Sequence, residues 1–204
     1  MASIKSILQF WFHSLTDATP IDKKAPPAKL WFNGGRAFDE EIRTKFLADY
    51  EKAKAGGYKD WEETAQGRLA LILIFDQFSR SMFRNTPQAF TTDQLALELT
   101  QASITDGKDK DLQFIERVFL YMPFMHSEVL SVQEEGVRSF ENLVKESKEK
   151  GSPNTSYFEY NLNYMRQHRD IIARFGRFPH RNKILGRTST REETEFLTKP
   201  GSSF

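Results

Sequence analysis

The sequence contains no cysteine, which excludes disulfides and thiolate metal ligands and is compatible with a reducing compartment. It has no surplus of either charge, with 29 basic and 28 acidic residues, so no global field attracts nucleic acid. No apolar run reaches the length of a bilayer span, and the first residues lack the regions of a signal peptide. We therefore expect a soluble, cytoplasmic protein that binds neither nucleic acid nor membranes.

The strict alternation of apolar and polar residues that is typical of half-buried strands is also missing. Apolar residues instead recur with helical spacing in segments that end at glycine or proline. The eight predicted helices cover approximately residues 3–12, 38–55, 62–83, 93–105, 111–123, 126–150 and 156–175, with a last helix that begins at Thr190, and 15–35 is predicted to be a connection. We predict an all-α protein with one domain, residues 1–204.

The predicted helix over 62–83 is apolar on nearly all sides, which is typical of a buried helix. At 100° per residue, Asp76, Gln77, Arg80 and Arg84 fall on one arc. One interpretation is an internal ion pair between Asp76 and Arg80, four residues apart, with a solvated helix end. The other is that Arg80 and Arg84 face a shared cleft.

The sequence PFMHSE places His126 and Glu128 on either side of Ser127, at the predicted start of a long helix. We favour a capping role for Ser127, with Glu128 near the positive end of the helix and His126 bound to backbone. A metal site is disfavoured because no histidine or carboxylate pair has the spacing of HEXXH. We therefore predict no metal site, and the sequence does not identify a cofactor.

The most unusual stretch is HRDIIARFGRFPHRNKILGR, from His168 to Arg187. It contains five arginines, namely Arg169, Arg174, Arg177, Arg181 and Arg187. An unpaired buried charge costs several kcal/mol, so an anion should lie opposite these side chains. His168 shares the apolar stripe of its helix, whereas His180, Arg181 and Asn182 follow a Phe-Pro pair on a stiff loop.

Four segments closely resemble the domain-of-unknown-function family 924, and the resemblance covers nearly the whole chain. They are FWF, LILIFDQFSRSMFRNTPQAF, RVFLYMPFMHSE and HRDIIARFGRFPHRNKILGRTSTREE. The resemblance implies an irregular right-handed stack of helices similar to the tetratricopeptide-repeat superfamily, although no 34-residue repeat is visible. The family pattern has Pro and Asn where this chain has Ser79 and Ser81.

Nine residues inside these segments are the candidate site residues. The predicted catalytic residues are His126, Glu128, His168 and His180, and the predicted ligand-binding residues are Asp76, Gln77, Arg80, Arg181 and Asn182. They favour a small anionic ligand, bearing phosphate or carboxylate, in a cleft of an enzyme or a binding protein. The alternatives are a tetratricopeptide-like groove that binds a peptide of a partner protein, and an internal ion-pair network without a ligand.

Overall fold

The computed structural model describes residues 1–24 and 26–203, which form helices and no strand. The α-helices are α1 (Ile4–Phe12), α2 (Ala28–Asn33), α3 (Gly35–Lys54), α4 (Ala65–Ile72), α5 (Ser79–Met82), α6 (Asp93–Thr105), α7 (Phe114–His126), α8 (Leu130–Glu149), α9 (Thr155–Phe175) and α10 (Arg191–Leu197). A π-helical turn joins α4 and α5 into one rod. With that rod counted once, these residues hold nine helices, which confirms the predicted all-α class and the number of about eight.

The main core extends from α1 to α9 around the rod formed by α4 and α5. Leu69 and Ile74 of this rod are fully buried, as the apolar pattern of the sequence predicts. Trp11 of α1 contacts the rings of Phe78 and Phe119, at centroid distances of 5.5 Å in both cases. Aromatic pairs of this kind add to the stability that burial provides, and they fix α1 against the rod and α7.

Gly136 of α8 lies at a close crossing of α7, α8 and α9. A Cβ atom at this position would be 2.7 Å from Phe124 Cβ and 2.9 Å from Met165 Sδ. Only glycine therefore allows the three backbones to approach this closely. The crossing places the end of α7, with His126, near the middle of α9, with His168.

The segment after α9 packs on a second, small apolar cluster. Ile171, Ile172 and Phe178 are buried there, with Phe175 and Phe196 partly buried around them. The predicted capping box of the last helix is confirmed, since Thr190 and Glu193 exchange the two expected hydrogen bonds. Because the apolar contact is small, polar contacts contribute much of the attachment of this segment.

Two predicted boundaries are wrong. The 15–35 segment contains a helix, α2, whose Trp31 donates a hydrogen bond from Nε1 to the carbonyl of Trp11 at 2.8 Å. Helix α7 continues past Pro123 and ends at His126, so His126 does not begin the next helix. Helix α8 begins only at Leu130, after Val129, and has no side-chain cap, so the capping role favoured for Ser127 is wrong as well. The proline lies in the last turn, where Met122, Phe124 and Met125 are buried, and this burial offsets the missing backbone hydrogen bond. Within the described part of the chain, no helix has the length and apolar character to cross a membrane.

Candidate functional site

The rod changes its winding where the candidate residues begin. Leu73–Phe78 forms a π-helical turn, and the amide of Ser79 donates to the carbonyl five residues back. The carbonyl of Phe75 accepts hydrogen bonds from the hydroxyls of Ser79 and Thr92, each at 2.7 Å. Single π turns inside α-helices occur frequently at functional sites. This one holds Asp76 in the interior of the protein.

Asp76 is completely buried and is bound on both oxygens. Its Oδ1 lies 2.6 Å from His126 Nδ1 and 2.9 Å from Arg80 Nη1, and its Oδ2 accepts from Gln77 Nε2 at 2.5 Å. The predicted pair between Asp76 and Arg80 is therefore confirmed. Burial acts to raise the pKa of Asp76, but the charge of Arg80 and the contact with His126 hold it below its usual value. The carboxylate is ionised at neutral pH.

His126 forms a hydrogen-bonded dyad with this carboxylate. Burial and the charge of Arg80 lower the pKa of His126, and Asp76 only partly opposes them, so the imidazole is neutral at pH 7. Because an ionised carboxylate can only accept, Nδ1 carries the proton and Nε2 carries the lone pair. Nε2 has no hydrogen-bond partner in residues 1–24 and 26–203, and 16% of the side chain is exposed. The dyad thus presents an oriented base.

Asp93 extends the dyad to two arginines. Arg80 donates from both Nη atoms to the two oxygens of Asp93, at 3.0 Å each. The Nη1 of Arg181 lies 3.8 Å from Asp93 Oδ2, which is too long for a hydrogen bond. Asp93, the first residue of α6, is not among the candidates from the sequence. We call the connected set Asp76, Arg80, Asp93, His126 and Arg181 the dyad cluster.

The Arg181 side chain is buried against two aromatic rings. The residue is 7% exposed, and its Cζ lies 4.8 Å from the ring centre of Phe90 and 4.5 Å from that of Phe178. Nε is fully buried and has no hydrogen-bond partner among the described residues. Burial, and then the charge of Arg80, lower the pKa of Arg181 to about 10. The guanidinium therefore remains charged at pH 7 without a hydrogen-bonded counter-ion.

Glu128 does not join the dyad. Its Oε2 accepts from Arg187 Nη1 at 2.6 Å, and its Oε1 accepts from Arg187 Nη2 at 2.9 Å and from the amide of Phe178 at 2.8 Å. Burial raises the pKa of Glu128, but these donors outweigh burial and lower it. Glu128 thus fixes the loop that carries Arg181.

Asn182 and Glu193 continue this set of contacts. Asn182 Oδ1 accepts from Arg187 Nε at 3.0 Å, and its Nδ2 donates to Glu193 Oε2 at 3.3 Å. Glu193 also accepts from Arg177 Nε at 2.6 Å and from Arg177 Nη2 at 2.8 Å. We call Glu128, Arg177, Asn182, Arg187 and Glu193 the C-terminal clasp. In the clasp, the candidates Glu128 and Asn182 bind other parts of the chain.

The other two candidate histidines lie near the dyad. His168 is 3% exposed, and its Nδ1 donates to the carbonyl of Tyr164 at 2.8 Å. Burial lowers the pKa of His168 to about 3. Burial and the charge of Arg181 lower the pKa of His180 to about 4. Both imidazoles are therefore neutral at pH 7. The charge of Arg181 lowers the pKa of both, and protonation of His126 would lower both further.

Comparison with known proteins shows to which family the chain belongs. The sequence model of a family described as "bacterial protein of unknown function (DUF924)" matches residues 7–201. The chain belongs to this family. It is also similar to the solved structure of a protein of unknown function, ATU0120, from Agrobacterium tumefaciens. That structure has 34% sequence identity and a TM-score of 0.75, and the match covers 95% of this chain and 96% of that one. No curated protein matches the chain.

In this DUF924 chain, the motif arginines divide into two kinds. Four of the five donate hydrogen bonds to a carboxylate: Arg169 to Asp170, Arg174 to Glu192, Arg177 to Glu193 and Arg187 to Glu128. The contacts of these four arginines agree with the alternative of an internal ion-pair network. Arg181 differs from them, and Arg84 lies outside the dyad cluster because it pairs with Asp39 of α3.

The structure also bears on metal binding by the DUF924 chain. Among the residues it describes, no group of three or more histidine, aspartate or glutamate side chains is arranged to hold a metal ion. His126 and Glu128, the pair considered from the sequence, bind different partners. The side chains that the dyad cluster brings together are an oriented imidazole, two carboxylates and two guanidinium groups.

Proposed function

We propose that the dyad cluster is a small-molecule site in which Arg181 binds an anionic group of the ligand and His126 exchanges a proton with it. The observation that carries this proposal is the buried, unpartnered Nε of Arg181. A buried guanidinium with incomplete pairing is costly, and a bound anion removes that cost. The other four motif arginines already donate to carboxylates of the chain.

The dyad supplies the reactive group of this site. Asp76 holds His126 in the tautomer whose Nε2 is a base, and its charge stabilises the imidazolium that forms when Nε2 takes a proton. Arg80 bridges the dyad to Asp93 and thereby to Arg181. A ligand anchored through its anionic group at Arg181 would hold its remaining atoms toward the imidazole. This arrangement fits proton abstraction from, or proton donation to, a small organic anion.

The alternative, a tetratricopeptide-like groove that binds a peptide, is supported by the helical fold alone. Fold analogy is an association rather than a physical argument for a site. An acidic peptide is therefore included as one arm of the test below, and binding of that peptide without any small anion would favour the alternative.

A thermal-shift screen tests the proposal. The wild-type protein is melted at pH 7 with acetate, propionate, inorganic phosphate, nucleotides and an acidic peptide. A small anion present at about 100 times its Kd should stabilise the fold by about 2.7 kcal/mol, which raises the Tm by about 5–10 °C in a protein of this size. The expected result is such a rise with a small anion.

Two matched variants identify the site. Arg181→Met keeps an unbranched apolar side chain between Phe90 and Phe178 but removes the charge, so it should abolish the shift. Arg191→Met makes the same change at a side chain that is 93% exposed and should retain it. A shift that survives Arg181→Met would place binding elsewhere, and the absence of any shift with the small anions would contradict the proposal.

A further inference from the structure

We propose that residues 177–203, which we call the C-terminal lid, open and close over the dyad cluster, and that Glu128 is the latch that holds the lid closed. This inference rests on the proposed function, since it concerns how a ligand reaches Arg181. Three observations support it: the site is divided between two parts of the chain, its guanidinium group is buried, and the clasp joins the two parts through Glu128.

The dyad cluster is assembled from the lid and from the body formed by α1 to α9. Arg181 belongs to the lid, and the other four members of the cluster belong to the body. Arg181 approaches the body at Asp93, with 3.8 Å between Nη1 and Oδ2, and at Phe90, with 4.8 Å between Cζ and the ring centre. Neither contact is a hydrogen bond, so they join the two parts less firmly than the clasp does.

The guanidinium group of Arg181 is inaccessible while the lid is closed. Its Nε is fully buried, and the whole residue is 7% exposed. A ligand oxygen can reach Nε only if the surrounding atoms move, and hinged segments commonly provide such access to binding sites. Because Arg181 is part of the lid, opening would expose it to the ligand, and closure would return it with the bound anion to His126.

The lid has its own network of hydrogen bonds. Arg177 donates two hydrogen bonds to Glu193, Asn182 donates one to Glu193, and Arg187 donates one to Asn182. These four residues of the clasp all lie within 177–203. The lid can therefore move as one unit without breaking these bonds.

Glu128 is the clasp residue that the body supplies. It lies between α7 and α8 and accepts three hydrogen bonds from the lid, two from Arg187 at 2.6 and 2.9 Å and one from the amide of Phe178 at 2.8 Å. Bidentate hydrogen bonds between arginine and a carboxylate are among the strongest polar contacts in proteins. Glu128 is thus placed to hold the lid against the body.

Gly176 connects the lid to α9 and provides a hinge. Its φ is 66°, and a Cβ atom at this position would have no neighbour within 4 Å. Glycine changes its backbone angles at low steric cost, and the open space around Gly176 leaves room for the chain to turn. The apolar cluster that joins the lid to the body is small, so opening would leave the main core intact.

The exchange of the Arg181 Nε–H proton with water, measured by NMR at pH 7 without a ligand, tests the lid. Because Nε is buried, exchange requires opening. Glu128→Gln replaces charge-assisted hydrogen bonds with neutral ones and should raise the exchange rate about tenfold, and Glu128→Ala should raise it further. Glu192→Gln is the matched control, since Glu192 also joins the lid to the body, through Arg174, but is 61% exposed; it should change the rate much less.

Two internal reporters distinguish opening from unfolding. The Arg177 Nε–H group donates to Glu193 within the lid, so its exchange should not accelerate when the lid opens as a unit. The backbone amides of α9 report on the body and should also keep their rates. An Arg181 rate that is the same in the wild-type protein and in both Glu128 variants would overturn the latch. Equal acceleration of the Arg177, Arg181 and α9 protons would show unfolding in place of opening and would overturn the lid.

The lid and the anion site can fail separately. If a small anion binds in the thermal-shift screen but the Glu128 variants leave the Arg181 rate unchanged, the lid is overturned and the anion site stands. If the rate rises in the variants but neither propionate nor inorganic phosphate binds, the lid stands as a hinged segment and the anion site fails. Bound propionate should lower the Arg181 rate in the wild-type protein, because it joins the lid to the body. An unchanged rate at saturating propionate would overturn entry of the ligand beneath the lid.

Discussion

Replacing Asp76 with asparagine tests the buried carboxylate on which the dyad depends. The change keeps the shape of the side chain and removes its charge. It converts the contact with His126 at 2.6 Å from a charge-assisted to a neutral hydrogen bond, and it removes the negative charge 2.9 Å from Arg80 Nη1. The Oδ2 atom that accepts from Gln77 Nε2 becomes an amide nitrogen, so that hydrogen bond is lost. Arg80 remains paired with Asp93 through two bonds, so no guanidinium is left without a counter-ion.

The expected loss follows from this geometry. Hydrogen bonds to charged groups contribute about 1.5–3 kcal/mol, against about 1 kcal/mol for neutral ones. One weakened hydrogen bond, one lost hydrogen bond and one lost charge contact at a fully buried group therefore cost about 3 kcal/mol, which is the lower end of the 3–5 kcal/mol range for breaking a buried pair. In a protein of this size, the Tm should fall by about 6–12 °C.

The assay is thermal unfolding followed by circular dichroism, with Asp170→Asn as the matched control. Asp170 pairs with Arg169 but is 67% exposed, so the same chemical change should cost between 0 and about 1 kcal/mol. NMR titration adds a second readout, because Asp76 raises the pKa of His126 and its removal should lower that pKa further. A Tm loss no larger than that of Asp170→Asn, together with an unchanged His126 titration, would refute the dyad.

Three further predictions concern other parts of the fold. Hydrogen bonds from Arg177 lower the pKa of Glu193 to about 2. A carboxyl group whose folded pKa is depressed contributes stability above its unfolded pKa of about 4.3, and that contribution is lost as the pH falls toward 2; the protection factors of the α10 amides, which correct for the intrinsic pH dependence of hydrogen exchange, should fall over this range, and Glu193→Gln should remove that fall. Gly136→Ala should lower the Tm by about 2–12 °C, because the added methyl group overlaps Phe124 and overpacking costs about 1–3 kcal/mol; an unchanged Tm would show that the crossing can relax. Burial lowers the pKa of His168 to about 3, so its carbon-bound proton signals in NMR should not titrate between pH 8 and 5. Below about pH 6.5 the His168 imidazole takes up a proton in the unfolded chain but not in the folded one, so the free energy of unfolding should decline as the pH falls below that value.

The helical class and most helix boundaries follow from the sequence because apolar periodicity reports directly on burial. Helix α6 begins and ends where the pattern predicts, at Asp93 and Thr105. The rod over 65–82 is predicted as a helix, but nothing in LALILIFDQF distinguishes a π turn from an α turn. The difference arises from tertiary contacts, since Thr92, from a neighbouring segment, binds the carbonyl of Phe75.

The site is predicted less completely than the fold. Asp76 and Arg80 are recognisable because polar residues on a buried helix need partners. Asp93 is not recognisable as a site residue, because an acidic residue in the first turn of a helix is already explained by the helix dipole. His126 is assigned to the wrong helix because Pro123 is interpreted as the end of the preceding one. Glu128 and Asn182 carry the same sequence signal as Arg181, and only their contacts separate the clasp from the dyad cluster.

The most direct test of the central claim is the NMR signal of the Arg181 Nε–H group, assigned by its loss in Arg181→Lys. A hydrogen bond to a ligand oxygen should shift this signal downfield as propionate is added, and His126 should move with the same saturation curve because it belongs to the same site. Both shifts are expected in the wild-type protein. Neither is expected for the Nε–H groups of Arg177 and Arg187, which already donate to Glu193 and Asn182 of the clasp. An Arg181 signal that stays in place at saturating propionate and at saturating inorganic phosphate would contradict the anion site and leave the motif as an internal ion-pair network.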